Sequence, residues 1–232
     1  YTWHEVSLDV RKFTSGLLRA GVKHGDRVAQ FSENRHEWIL LDLALQILGA
    51  IHVPVHSTLS GAQVVEQAVD SGAEVLFVSN EDQWRKLKAA PTSLAENVKT
   101  YSFEEIDDPS VVSWDVEAGD VSDAEELERS IGARVNLDTV ATILYTSGTT
   151  GEPKGVILNQ RNITSNSLSA NERIGQRRSD LRLSFLPLSH IFARTCDLYG
   201  WVVSGAQLAL AESRDTVVPD AQAIHPTVIN AV

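Results

Sequence analysis

Apolar residues along this chain switch repeatedly between helical spacing and short strand-like runs, and that alternation narrows the fold more than any other property. From Thr2 to Ala20, Trp3, Val6, Val10, Phe13, Leu17 and Leu18 recur at the helical period, and Gly21 closes the element. Arg27 to Phe31 then reads as a strand, Glu37 to Leu48 as a helix ended by Gly49, and Ile51 to Val55 as a strand interrupted by Pro54. Gly61 to Val69 is helical, Val75 to Ser79 strand-like and Asp82 to Lys88 a short helix. Farther on, Val140 to Tyr145 is an apolar strand, Asn162 to Ile174 a helix, Leu183 to Leu186 a strand and Ile191 to Val203 a helix. Gln207 to Ala211 and the apolar end Val228 to Val232 are strand-like. Strands and helices taking turns predict an α/β fold: a doubly wound, mostly parallel sheet flanked by helices on both faces.

Composition agrees with a globular chain, at 43% apolar and 22% charged residues. The longest apolar run, Ile39 to Ile51, is broken by Asp42, Gln46 and Gly49, so no transmembrane segment is expected, which leaves room only for peripheral membrane contact. No secretory leader pattern opens the chain. The single cysteine, Cys196, cannot form an internal disulfide, and a cytoplasmic location is expected. Net charge is −11, but Glu104 to Glu128 holds eleven acids and no Lys or Arg, so the rest of the chain balances at zero. That run reads as a solvated, loop-rich excursion, with a candidate subdomain boundary in residues 104–135. Such charge repels nucleic acid, which is not expected as a partner.

Chemistry concentrates in Tyr145-Thr146-Ser147-Gly148-Thr149-Thr150-Gly151-Glu152-Pro153-Lys154-Gly155, where four hydroxyl side chains, three glycines and one lysine follow a strand. Glycines let successive backbone N–H groups converge on an anion, and hydroxyls add donors. Lys154 adds a positive charge, and Pro153 stiffens the turn before it. The string is a phosphate cradle in chemical terms. It is not a Walker loop, because Gly155 and Val156 rather than a hydroxyl residue follow the lysine, and the dinucleotide fingerprint is absent. The candidate phosphate-binding residues are Thr146, Ser147, Gly148, Thr149, Thr150, Gly151 and Lys154.

This string closely resembles the signature of the adenylate-forming superfamily, [YF]-T-S-G-T-T-G-x-P-K-G-V, and Tyr145 through Val156 agree at every invariant position. Arg27-Val28-Ala29, Ser32-Glu33-Asn34 and Gly49 to Val55 are similar to the usual approach to that signature. The resemblance implies the N-terminal portion of the large AMP-binding domain and a two-step reaction using ATP, Mg²⁺ and coenzyme A. A carboxylate attacks the α-phosphorus of ATP to give acyl-adenylate and pyrophosphate, and a thiol then displaces AMP.

A second landmark, Phe185-Leu186-Pro187-Leu188-Ser189-His190-Ile191-Phe192-Ala193-Arg194, resembles the family's L-P-L-x-H segment in the version of long-chain acyl-CoA synthetases. It implies a fatty acid substrate and a catalytic role for His190, while a helix-start histidine bonding to local backbone is the plainer reading. A fatty acyl-AMP ligase and a non-catalytic nucleotide-binding module stay open as alternatives. His52 and His56 straddle Pro54 and make no helical metal pair, Cys196 reads as a small apolar residue, and Arg173, Arg177 and Arg178 read as a solvated helix end. No metal-binding residues are assigned. Asn159-Gln160 departs from the family's usual Thr-His. The family's later Y-G-x-T-E segment, ribose-binding aspartate region and C-terminal lid are not found within these 232 residues, so the chain is expected to be a fragment without turnover of its own.

Overall fold

The computed structural model describes residues 1–115, 134–147 and 153–231. They belong to two compact units, Tyr1–Gln160 and Arg161–Val232. Of the candidate boundary 104–135, residues 116–133 lie outside the described residues.

In the first unit, helix α1 (Trp3–Arg19) starts on a reciprocal cap: the Thr2 hydroxyl accepts from the Glu5 N–H, and the Glu5 carboxylate accepts from the Thr2 N–H. There follow β1 (Arg27–Ser32), α2 (His36–Leu48), β2 (Ile51–His56), α3 (Gly61–Ser71), β3 (Val75–Val78) and α4 (Glu81–Lys88). Strands β4 (Lys99–Ser102), β5 (Val111–Ser113), β6 (Val140–Ser147) and β7 (Pro153–Asn159) complete the sheet. Its order is β5-β4-β3-β1-β2-β6-β7, parallel throughout except for the antiparallel β6–β7 pair.

The period-two alternation of the strands sorts side chains onto two covered faces. Ala29 and Phe31 of β1, Val53 and Val55 of β2, and Leu76 and Val78 of β3 pack with Val64 and Val65 of α3 and Leu87 of α4. On the other face, Trp38 of α2 lies 5.1 Å from the His52 ring. There Phe13 of α1 joins Phe77, Phe103 and Trp114 in an aromatic cluster. Helices on both faces of a mostly parallel sheet are the expected doubly wound arrangement. Because β2 is laid on one side of β1 and β3 on the other, the strand order reverses at β1, and the carboxyl ends of the strands form the edge where such sheets bind ligands.

Several local expectations need correction. Strand β2 is not interrupted at Pro54, because its pairing with β1 runs unbroken from Ile51 to His56. Strand β6 continues past Tyr145 to Ser147. Pro153 opens strand β7 rather than only stiffening a turn, a place where its missing N–H costs little. Strands β4 and β5 carry too few residues to show a period. The described part of the acidic run is also anchored: Asp108 accepts from Trp84 Nε1 at 3.0 Å and Lys88 Nζ at 2.8 Å, and Glu104 pairs with Arg35 at 2.8 Å. Lys88, then Ser110 and Trp84, hold the Asp108 carboxyl well below its usual range.

The second unit opens with α5 (Gln160–Ile174), whose first residue still belongs to the first unit. It contains β8 (Leu181–Ser184), helix α6 (residues 191–204), β9 (Gln207–Leu210), α7 (Val217–Ile224) and β10 (Val228–Ile229), with a parallel sheet in the order β10-β8-β9. Strand β8 begins two residues before the expected Leu183, held by its ladders to both neighbours. Helix α6 starts at Ile191–Ala193, passes through a π-helical segment Arg194–Tyr199 and closes as Gly200–Ser204. The wider turn leaves Arg194, Thr195, Asp197, Leu198 and Tyr199 all buried. Asp197 meets Arg182 of β8 at 2.6 Å, and both are within 1% of complete burial.

Candidate functional site

The β6–β7 hairpin carries the candidate residues that the structure describes. Ser147 pairs with Pro153, so the two strands are in register on either side of residues 148–152. Thr146 then pairs with Lys154, Tyr145 with Gly155 and Leu144 with Val156. Directly opposed residues share a face with their Cβ atoms roughly 4.5–5.5 Å apart, so the Thr146 hydroxyl and the Lys154 stem leave the sheet side by side. Both residues are exposed. Gly148, Thr149, Thr150 and Gly151 lie outside the described residues.

Tyr145 points to the opposite face by alternation and packs with Ile143 against the cluster beneath α3. Its hydroxyl donates to Asp70 Oδ2 at 2.6 Å, at the end of α3. Burial, followed by Asp70, pushes the Tyr145 phenol well above its ordinary value. Gly155 is required opposite it: a Cβ there would stand 2.9 Å from Ile143 Cγ2 and 3.4 Å from the Tyr145 ring. The other end of the hairpin is tied by Thr142, whose hydroxyl donates to the His52 carbonyl at 2.7 Å, and by Gln160, whose Nε2 donates to Gln46 Oε1 at 2.6 Å. Gln160 thus has a structural partner at the position where the sequence departs from the family's usual histidine.

His190 lies in the second unit. It is the N-cap of α6, where its Nδ1 accepts from the Phe192 N–H at 3.3 Å, and the residue is exposed. His52 is buried, its Nδ1 2.7 Å from Asp42 Oδ1, while His56 Nδ1 accepts from Thr58. Cys196 sits in the π-helical segment, where burial and then Asp197 push its thiol up. Arg173, Arg177 and Arg178 are exposed. No local pattern marks the Tyr145–Asp70 bond or the buried Arg182–Asp197 pair, because their partners lie 75 and 15 residues apart.

Among the described residues, no group of three or more His, Cys, Asp or Glu side chains is placed to hold a metal ion. Paired donors, Thr146 and Lys154, fit an anion. The whole chain, residues 1–232, matches the AMP-binding enzyme family. The chain belongs to that family.

The chain is 33% identical over 236 residues to the long-chain-fatty-acid–CoA ligase FadD15 of Mycobacterium tuberculosis, a match covering all of this chain and 38% of that protein. It therefore spans little more than a third of the length of that relative. Its fold is similar to the inhibitor-bound N-terminal domain of FACL13 from Mycobacterium tuberculosis, with a TM-score of 0.80 at 24% identity over all of this chain and 56% of that one. A second likeness is to o-succinylbenzoate CoA synthetase from Bacillus subtilis in complex with its acyl-adenylate intermediate. The TM-score there is 0.72 at 23% identity, over all of this chain and 55% of that one. These two likenesses concern the fold. No helix among the described residues is long and apolar enough to cross a membrane.

Proposed function

We propose that the complete protein activates a long-chain fatty acid with ATP and transfers the acyl group to coenzyme A. The observation that carries this reading is the opposed pair Thr146–Lys154, at the loop end of a hairpin whose sequence is the family signature. In the first step a carboxylate oxygen of the fatty acid bonds to the α-phosphorus of ATP, and the bond to pyrophosphate breaks. The substrate supplies the nucleophile, so the protein's task is alignment and charge neutralisation. The Lys154 ammonium would offset negative charge gathering on the departing pyrophosphate, and the Thr146 hydroxyl would donate to one of its oxygens. Residues Ser147 to Gly151 would complete the cradle with backbone and hydroxyl donors. Mg²⁺, held largely by the phosphates, would supply further neutralisation. In the second step the thiol of coenzyme A displaces AMP from the acyl carbon, and His190 is proposed as a catalytic residue from its place in the Leu186-Pro187-Leu188-Ser189-His190 segment.

Support for the fatty acid comes from the identity to FadD15 and from the Ser189-His190-Ile191-Phe192-Ala193-Arg194 segment. Because the chain covers 38% of that relative, the isolated 232 residues are proposed not to turn over unaided. The test is fatty-acid-dependent exchange between ATP and pyrophosphate in the complete protein. Thr149→Val and Lys154→Ala should each slow exchange by an order of magnitude or more, as expected for loss of a charge-assisted contact of about 1.5–3 kcal/mol made in the transition state. Wild-type exchange in both variants would remove the site from the reaction. Adding coenzyme A, or a carrier protein in its place, then identifies the acceptor.

A further inference from the structure

We infer that Asp70 is a positioning residue for the phosphate-binding hairpin, acting through Tyr145. This rests on the adenylation reading above and extends it to a residue on a different element.

The need for such a brace follows from the sheet. Strand β7 is the outermost strand, so on its far side the hairpin has no neighbour within the seven-stranded sheet. On its near side β6 lies beside β2 with His52 opposite Thr142, and Pro54 of β2 has no N–H to offer a neighbour, while β6 runs on for five more residues to Ser147. Over that loop-proximal half, the β6–β7 ladder is continuous from Ile143↔Ile157 to Ser147↔Pro153. Side-chain contacts add to this anchoring: Ile143 and Tyr145 pack on the core cluster, and the Tyr145 hydroxyl donates to Asp70 at 2.6 Å.

Asp70 is well placed for this work. It lies in the last turn of α3, whose Gly72 cap and burial of Val64, Val65 and Ala68 fix it to the sheet. The hydroxyl of its neighbour Ser71 donates to the Ala68 carbonyl at 3.1 Å and also acts on the Tyr145 phenol, more weakly than Asp70 does. A carboxylate accepting from a phenol is a short, charge-assisted bond, stronger and more directional than packing alone. Tyr145 also passes the restraint across the hairpin, since its ring lies against Gly155, the residue following Lys154. The path from α3 to the lysine is therefore Asp70, Tyr145, Gly155 and Lys154, each step a contact or a peptide bond. Loosening the first step lets Thr146 and Lys154 shift together relative to the remaining parts of the site.

The experiment uses the complete protein and steady-state kinetics with ATP and the fatty acid varied separately. Asp70→Ala and Tyr145→Phe should each lower kcat/KM for ATP about tenfold, with the KM for the fatty acid unchanged, because small misplacements of aligned groups are costly. The double variant should be no worse than either single one. Asp70→Asn should stay within about twofold of wild type, because its amide oxygen still accepts from the phenol. Glu66→Ala, an exposed change one turn earlier on α3, serves as the control for altered helix charge and should match wild type. If Asp70→Ala does not fold, Tyr145→Phe carries the test, since it keeps the ring and its packing. Wild-type kcat/KM in Tyr145→Phe, additive losses in the double variant, or an Asn variant as poor as Ala overturns the inference. Absence of fatty-acid-dependent activity in the wild-type protein would instead overturn the adenylation reading.

Discussion

Thr146 and Lys154 stand directly opposite each other across the β6–β7 ladder, one on each strand leading to the loop between them. A hydroxyl donor and a cation arranged this way can contact neighbouring oxygens of one anion, and neither can move along its strand without breaking the shared register.

If the pair acts on one pyrophosphate group, then its members should be energetically coupled. Thr146→Val and Lys154→Gln are each expected to slow acyl-adenylate formation at least tenfold, and the double variant to be faster than the product of the two effects predicts. Single-turnover adenylation of the four proteins measures this directly. Multiplicative losses would show that the two side chains serve separate groups.

Gly61 and Gly200 should respond in opposite ways to the same substitution. A Cβ on Gly61 would fall 1.8 Å from the Lys86 carbonyl oxygen, a backbone atom of α4 that cannot swing aside. Gly61→Ala should therefore destabilise the protein by about 1–3 kcal/mol through forced separation of α3 and α4. A Cβ on Gly200 would meet its nearest atom at 3.6 Å, in helical backbone with φ −59° and ψ −41°. Gly200→Ala should raise stability by about 0.5–1 kcal/mol, the ordinary helix preference for Ala. Denaturant midpoints of the two variants check both signs.

What the sequence revealed and what it concealed divide along physical lines. Helices α1 to α3 were legible because their apolar spacing and the Gly21 and Gly49 ends are local signals. The signature residues were legible because phosphate chemistry needs glycines, hydroxyls and a cation close together in sequence. Strand β7 was not, because Pro153, Lys154 and Gly155 favour a turn locally and become a strand only by pairing with β6. The π-helical Arg194–Tyr199 segment looked like ordinary helix, since one extra residue per turn leaves the apolar spacing nearly unchanged. Long-range polar contacts such as Tyr145–Asp70 have no local signature.

His36 should give a pH dependence that its neighbours do not. Its ring stacks on Tyr1 at 4.0 Å, and Nε2 stands 3.8 Å from Asp9. Burial holds its pKa below the ordinary 6.5, opposed by Glu37 and Asp9. A histidine lowered in this way favours the folded state when neutral, so its contribution is complete above 6.5 and is lost as pH falls through that value towards the folded pKa. The thermal midpoint should drop between about pH 7.5 and about pH 5.5, and His36→Asn should flatten that drop. The carboxyls of Glu37 and Asp180 are lowered from ordinary values of 4.5 and 3.8, so their losses come at more acidic pH and remain in the variant. An unchanged slope in His36→Asn would assign the dependence elsewhere.

The Arg182–Asp197 pair should be costly to break and cheap to replace. Asp197 accepts from Arg182 at 2.6 Å, Ser184 at 3.0 Å and Asn230 at 2.6 Å, and so ties β8, α6 and the residue after β10 together. Burial pushes its carboxyl up, and Arg182, Ser184 and Asn230 work against that push. Asp197→Ala removes the acceptor for all three donors and strands a guanidinium that is fully buried. The expected loss is about 3–5 kcal/mol, because the desolvated cation then has no counter-charge. Arg182→Met removes that cation while keeping an apolar stem of similar length, so adding Asp197→Leu to it should cost far less than Asp197→Ala does in the wild type. Urea unfolding of the two single variants and the Met–Leu double variant measures the difference. If the double variant lost as much as the sum of the singles, then the interaction between the two charges would contribute nothing, and the stability of the β10-β8-β9 layer would rest on its apolar packing alone.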